Sequence, residues 1–318
     1  MKQVSLRAIK MGKKKRKELR VERFLDEMSQ VVPWKDLCDL IRPHYGKDGG
    51  RPPFELELML RVHFLQKWHN LSDPGMEEAL YDRLSFQRFL GFDCFGGTIP
   101  DESSILRFRH LLEEYRLADE ILECVNSYLS KRGLVLKAGT IVDATLLEAP
   151  VNKKNKNKER DPEMSSTRKN NKWHFGAKGH IGVQAQGKPI IHTVSFTTAK
   201  NHDIRELENL LHGEEKVLFG DAGYHRQEDK KRARAQGVYY GIADRNARNH
   251  PLSSSQKKKN HKHSCLRAKV EHPFRVIKEL WGHRKLRFKG LVKNACQFTT
   301  LCALSNLYLS RKQLLTIG

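Results

Sequence analysis

The chain has 318 residues, with 59 Lys plus Arg against 37 Asp plus Glu, for a formal charge of +22 at pH 7. That length suits one large core or two domains at roughly 100–200 residues each, and the charge points to a polyanionic partner, nucleic acid ahead of acidic membrane surfaces. No segment reaches the ~18 uncharged apolar residues of a membrane span, no apolar run follows the basic start as a signal peptide requires, and the six cysteines lack any C-x-x-C pair. The expectation is a soluble intracellular protein with free thiols.

The basic runs are spread along the chain: "KKKRK" at Lys13–Lys17, "KKNKNK" at Lys153–Lys158 and "KKKNHKH" at Lys257–His263. Residues 1–22 read as a basic flexible arm. Residues 23–136 read as an all-helical, DNA-binding N-terminal domain. There Leu56, Leu60, Phe64 and Trp68 form one apolar stripe at four-residue spacing. Two short helices ending at Gly91 follow, and then a helix capped from Asp101, Ser103 or Ser104 that buries Ile105, Phe108, Leu111 and Leu112.

The texture changes at "KAGTIVDATLLEAP". The short β-branched run 140–147 is a strand. The polar stretch 152–172 reads as a basic loop that is mobile or contacts DNA. Residues 173–198 read as two strands joined by a turn near Gln186–Gly187–Lys188. A short helix stopped by Gly213, the buried strand "KVLFG", a helix over "RQEDKKRARAQG" and the strand "VYYGIA" come next. A second basic polar loop, 244–264, precedes the C-terminal helices. The order predicts a mixed α/β domain over 137–318 with helices packed on a sheet.

Two aspartates stand out by location. Asp143 interrupts the first strand and points to the opposite face from Val142 and Ala144. Asp221 ends a buried strand between Gly220 and Gly223, where ligands sit in open α/β sheets. Each could equally cap the turn after it. Glu271 is the lone acid in the basic first half of "CLRAKVEHPFRVIKELWGH". On a regular helix Arg267 lies about 40° from it and Lys278 about 20°, on one narrow face, although Pro273 makes the helix kink or begin there. A simple Arg267–Glu271 pair explains the glutamate as well as a ligand role does.

Taken together, these three carboxylates in a basic chain suit two-metal phosphoryl transfer, because Mg²⁺ prefers oxygen ligands and keeps several waters. Lys178 and His180, on one face of the strand "WHFGAKGH", face either the active site or DNA, or are ordinary sheet-surface residues. His261, His263 and Cys265 lack the paired spacing of a zinc module. There is no G-x-x-x-x-G-K-[ST] loop and no G-x-S-x-G elbow, so neither nucleotide use nor a serine nucleophile is indicated.

The sequence resembles the insertion-sequence-five family of DDE transposases, close to the insertion-sequence-four group. The resemblance runs through "VPWKDLCDLIRPHYGKDGGRPPFELELMLRVHFLQKWHNLSDPGMEEALYD", "PDESSILRFRHLLE", "GTIVDATLLEAP", "KNKERDPEMSSTRKNNKWHFGAKGHIGV", "GDAGY" and "RAKVEHPFRVIK". It implies a ribonuclease H-like catalytic fold, with Asp143, Asp221 and Glu271 as catalytic metal ligands for two Mg²⁺ ions, Mn²⁺ substituting. In related transposases a tyrosine, an arginine, the glutamate and a lysine form one signature; Arg267, Glu271 and Lys278 fit it, and Ser264 stands at the tyrosine position. Arg267, Lys278, Lys178 and His180 are the candidate DNA contacts. The resemblance further implies double-stranded DNA as partner, a homodimer or larger synaptic complex, and a bacterial cytoplasmic setting. A non-catalytic DNA-binding relative and a nuclease that cuts without joining are the alternatives.

Overall fold

The computed structural model describes residues 17–46, 52–92, 98–151, 159–169, 171–246 and 251–317. All but the last residue of the first basic run, and the whole run Lys153–Lys158, lie outside the described residues, as does most of the N-terminal arm.

Among the described residues seven α-helices come first: α1 (Arg20–Val31), α2 (Trp34–Ile41), α3 (Leu56–Trp68), α4 (Asp73–Asp82), α5 (Leu84–Leu90), α6 (Glu102–Glu114) and α7 (Leu117–Lys131). Helix α1 begins at Arg20, so the last residues expected in the arm are helical. Asp101 is the cap of α6, its Oδ1 accepting from the Ser104 N–H at 2.7 Å. Gly91 ends α5 at φ +73°, a left-handed setting that favours glycine. The expected stripe on α3 is buried, but so are Val62, His63, Leu65, Gln66 and Lys67. Only the face bearing Glu57, Leu58 and Arg61 stays partly exposed.

The second region contains β1 (Gly139–Glu148), β2 (Ser165–Lys169), β3 (Lys172–Gln184), β4 (Ile191–Thr198), β5 (Val217–Gly220), α8 (Gln227–Ala235), β6 (Tyr239–Ile242), α9 (Ser254–Arg267), α10 (Glu271–Arg275) and α11 (Leu291–Ile317). β1, β3 and β4 form an antiparallel meander. On the other side of β1, β5 and then β6 add in parallel. The order β4–β3–β1–β5–β6, with these directions, is a ribonuclease H-like sheet, and β2 pairs with the opening residues of β3. Adjacent residues of β1 bury into different clusters: Ile141 packs with the N-terminal helices and α11, and Val142 packs with Leu207, Leu218 and Tyr224. A strand covered on both faces reads as a continuous apolar run, which is how 140–147 was legible.

Three expectations need correcting. Part of the loop expected over 152–172 is strand β2; its side chains are polar because it lies exposed, and no apolar alternation marked it. The helix expected before Gly213 is two 3₁₀ turns, Asp203–Glu206 and Glu208–Leu210. There the Glu206 side chain accepts from Ser195, Asn201 and Asn209, fixing an irregular path. The loop expected over 244–264 contains most of α9, which starts at a capping box formed by Ser253 and Gln256. Residues 265–283 break where Pro273 led to the expectation of a kink or a helix start. α9 ends at Arg267, a 3₁₀ turn covers Ala268–Val270, α10 begins at Glu271, and a π turn covers Val276–Leu280. Pro273 sits in the first turn of α10, the position where its missing N–H is tolerated.

The long α11 packs against α1, α6, α7, β3 and β4. At its centre Asn306 is fully buried. Its Oδ1 accepts from the Ile191 N–H at 2.8 Å, and its Nδ2 donates to the Ile191 carbonyl at 2.7 Å and to Asn126 Oδ1 at 2.8 Å. One amide thus ties the C-terminal helix, the start of β4 and helix α7. Asn306→Ala leaves buried polar groups unpaired and is expected to cost roughly 2–4 kcal/mol, read as a lower urea midpoint. A variant within ~0.5 kcal/mol of wild type would show that water replaces the amide.

Candidate active site

Asp143 and Asp221 come together because β1 and β5 run parallel. Ile141 pairs with Phe219, and each aspartate stands two residues further on, so the two lie abreast on strands spaced about 4.8 Å apart. Gly220 permits this closeness, since a Cβ there would stand 2.9 Å from Val142 Cγ2. Asp143 Oδ1 accepts from the Ala144 N–H at 2.8 Å, and Asp221 Oδ1 caps its turn through the Gly223 N–H at 2.8 Å. Burial, aided by the neighbouring Asp221 charge, pushes the Asp143 carboxyl up to about 6, against the Ala144 N–H and the charges of Arg267 and Lys169. Asp221 thus caps the turn that follows it, and its charge also reaches Asp143.

Sequence reasoning missed two members of this neighbourhood. Asp203 Oδ2 and Asp221 Oδ1 stand 3.6 Å and 2.9 Å from the point a Gly223 Cβ would occupy. Asp203 follows β4, whose end lies on the same side of the sheet as the ends of β1 and β5. The criterion that picked out Asp221 would have found it had its segment not been read as helix. Tyr224 is fully buried and its hydroxyl has no partner among the described residues. Burial and the charges of Asp203, Asp143, Asp221 and Glu206 raise that phenol far above its ordinary range.

The basic candidates divide. Arg267 is half-buried and its charge reaches Asp143. Lys178 Nζ is committed to Asp203 Oδ1 and the Asn201 carbonyl, both at 2.8 Å. His180 is fully buried against Thr197 Oγ1 at 2.8 Å, and burial lowers it to about 4. As a DNA contact His180 is corrected: its strand face is covered by the turns after β4 and not open to solvent. Lys278 Nζ donates to the Leu146 carbonyl at 2.7 Å, and Lys269 Nζ donates to the Ala185 carbonyl at 2.9 Å. These two lysines pin the segment along β1. Between the anchors lie Glu271 on the segment and Asp143 on the strand. Glu271 is exposed and makes no hydrogen bond or ion pair with a described residue. Ser264, in place of tyrosine, donates to the His261 carbonyl at 2.8 Å.

Among the described residues no group of three or more His, Cys, Asp or Glu side chains stands close enough to hold a metal ion. The Asp143–Asp221 pair by itself fits a hard divalent cation. Its donors are oxygens, Asp143 is half-buried, and Mg²⁺-like ions need only one or two carboxylates beside their waters. Glu271 stays outside that pair in this arrangement.

The sheet order is that of a ribonuclease H-like fold, with the two aspartates abreast on its central strands. Residues 136–307, more than half of the chain, match the family described as "Transposase DDE domain", and residues 13–111 match "Transposase domain (DUF772)". The chain belongs to the DDE transposases, a family whose catalysis uses divalent metal ions. The crystal structure of the Mos1 strand transfer complex aligns over 76% of this chain and 82% of that one, at 12% identity and a TM-score of 0.20. A likeness that slight transfers no residue. No helix among the described residues is long and apolar enough to cross a membrane.

The raised Asp143 carboxyl sets a testable pH dependence. Its cost to folding is absent below the ordinary carboxylate pKa of about 3.8, grows as pH rises to about 6, and is complete above that. In metal-free buffer, Asp143→Asn is expected to melt a few degrees above wild type at about pH 7.5, the difference shrinking towards about pH 4. Equal melting at the higher pH would mean that the Asp143 carboxylate is well solvated.

Proposed function

We propose that this protein is a transposase of the insertion-sequence-five family that cuts the ends of its element and joins them to target DNA. The observation that carries the reading is the Asp143–Asp221 pair, built by parallel strands in a chain of charge +22. Residues 23–136 would recognise the terminal inverted repeats, and residues 137–318 would carry out the chemistry. The long motifs quoted above, including the Arg267, Glu271 and Lys278 spacing, support the finer family assignment.

In the first step water attacks the phosphorus at the element end and the P–O3′ bond breaks, leaving a 3′-hydroxyl on the element and a 5′-phosphate on the flank. In the second step that 3′-oxygen attacks a target phosphorus and displaces a target 3′-hydroxyl. Each step forms one P–O bond and breaks one, so no nucleotide cofactor is required. Asp143 and Asp221, with Glu271 drawn in from the segment that flanks β1, would hold two Mg²⁺ ions, or Mn²⁺ in their place. When bound, these ions supply Lewis-acid stabilisation of the entering and leaving oxygens. Arg267, close enough to act on Asp143, is suited to grip the phosphate beside the cut. The exposed Lys169 at the end of β2, whose charge also reaches Asp143, extends that basic surface. Synapsis of two ends calls for a dimer or larger assembly.

The test uses a labelled duplex carrying the element's own end, with wild type, Asp143→Asn, Asp221→Asn and Glu271→Gln. All four are expected to bind it. Only wild type should cut and join in Mg²⁺, with each variant slowed by ~10³-fold or more. Cutting without joining would identify a nuclease. Full activity in Glu271→Gln would remove Glu271 from the site and turn attention to Asp203.

A further inference from the structure

A cavity of about 220 Å³ lies where α3 and the start of α4 meet the chain just before α11. Its floor is formed by Gln66, Lys67 and His283, all buried, and its mouth by Ser72, Pro74 and Arg287, all exposed. Lys67 is only 3% exposed, yet its ammonium makes no hydrogen bond or ion pair with a described residue. Its one close partner among the described residues is the face of Phe288, 5.6 Å from the ring centroid. Arg287 likewise has no carboxylate partner among them; its Nη2 donates to the Asn70 carbonyl and Oδ1 at 2.7 and 2.9 Å.

The nearby acids are already used. Asp73 Oδ2 accepts from Arg109 at 2.9 Å and Asp73 Oδ1 from Gln66 Nε2 at 2.7 Å, while Glu113 accepts from Arg109 at 2.8 Å. His283 adds no charge, because burial lowers it to about 4, and its Nε2 donates to the Lys67 carbonyl at 2.7 Å. Burial and the neighbouring Arg109 also lower Lys67, to about 8, with the charge of Asp73, itself in the cavity wall, opposing them only in part. A buried, incompletely compensated charge lining a cavity is costly for folding alone and is a common mark of a ligand site. The Gln66 Oε1 atom, also buried without a partner among the described residues, adds an unused acceptor in the same wall.

We propose that this cavity binds a phosphate-type oxyanion, gripped by the Lys67 ammonium at its floor and the Arg287 guanidinium at its mouth. Gln66 Oε1 would accept from the protonated oxygen of a phosphate or phosphomonoester. The site is separate from the carboxylate pair and does not depend on its assignment. The oxyanion could be free inorganic phosphate or the 5′-phosphate of a DNA end.

The experiment follows thermal melting of the full chain in inorganic phosphate against chloride at matched ionic strength. It runs alongside binding of one short duplex bearing either a 5′-phosphate or a 5′-hydroxyl. Wild type, Arg287→Gln and Lys67→Met are compared, with circular dichroism confirming the fold; if Lys67→Met does not fold, the exposed Arg287→Gln decides the matter. A rise in Tm of a few degrees in phosphate, absent from the variants, supports the site with free phosphate as ligand. A several-fold preference for the 5′-phosphorylated duplex, lost in Arg287→Gln, supports it with DNA as the source. Gains that persist undiminished in the variants, or no phosphate effect in either arm, would overturn it.

Discussion

The structure turns on α11, a helix that serves as core for two different regions at once. Its buried residues include Phe298, Leu301, Cys302, Ala303, Leu304 and Leu307, together with Thr299, Thr300, Ser305, Asn306 and Ser310. Small and hydroxylated side chains let neighbouring elements approach closely while apolar ones fill the space between them. The closeness is visible at Gly179 of β3, where a Cβ would stand 2.4 Å from the Phe298 ring. Without α11, β3, β4 and the N-terminal helices would each expose the face they now bury on it.

The same packing stations the chemistry. β1 is central in the sheet, so the half-buried carboxylate carried on it is partly screened from water. Parallel pairing with β5 then brings a second carboxylate alongside. This arrangement opposes stability and favours cation binding, the usual relation between a strained polar site and its ligand. The Lys269 and Lys278 bonds to strand-edge carbonyls lay the third element along β1. In the free protein, Glu271 remains at the solvent edge of that element.

Buried basic groups recur away from the sheet. Lys67 and Arg109 both face the Phe288 ring, with Arg109 4.3 Å from the ring centroid and two carboxylates clasping it. Most of the described lysines and arginines are exposed. The charge at Lys67 differs because desolvation there demands a specific partner.

By itself the sequence determined the helical N-terminal region, the strands at 140–147, 173–198, 217–220 and 239–242, and the aspartates at strand positions. Period-2 and period-3.6 patterns, capping residues and buried apolar runs are local signals, and they survived folding. Strand β2 was hidden because an exposed edge strand needs no apolar residues, and α9 was hidden because a basic, solvated helix carries no apolar stripe. Only the tertiary structure decided that Asp143 and Asp221 stand abreast, that Asp203 lies beside Asp221, that His180 is buried, and that Lys178 and Lys278 are bound to groups of the protein. Those outcomes depend on strand order, register and what covers each face. Such long-range relations pair residues dozens of positions apart, where no local pattern records the match.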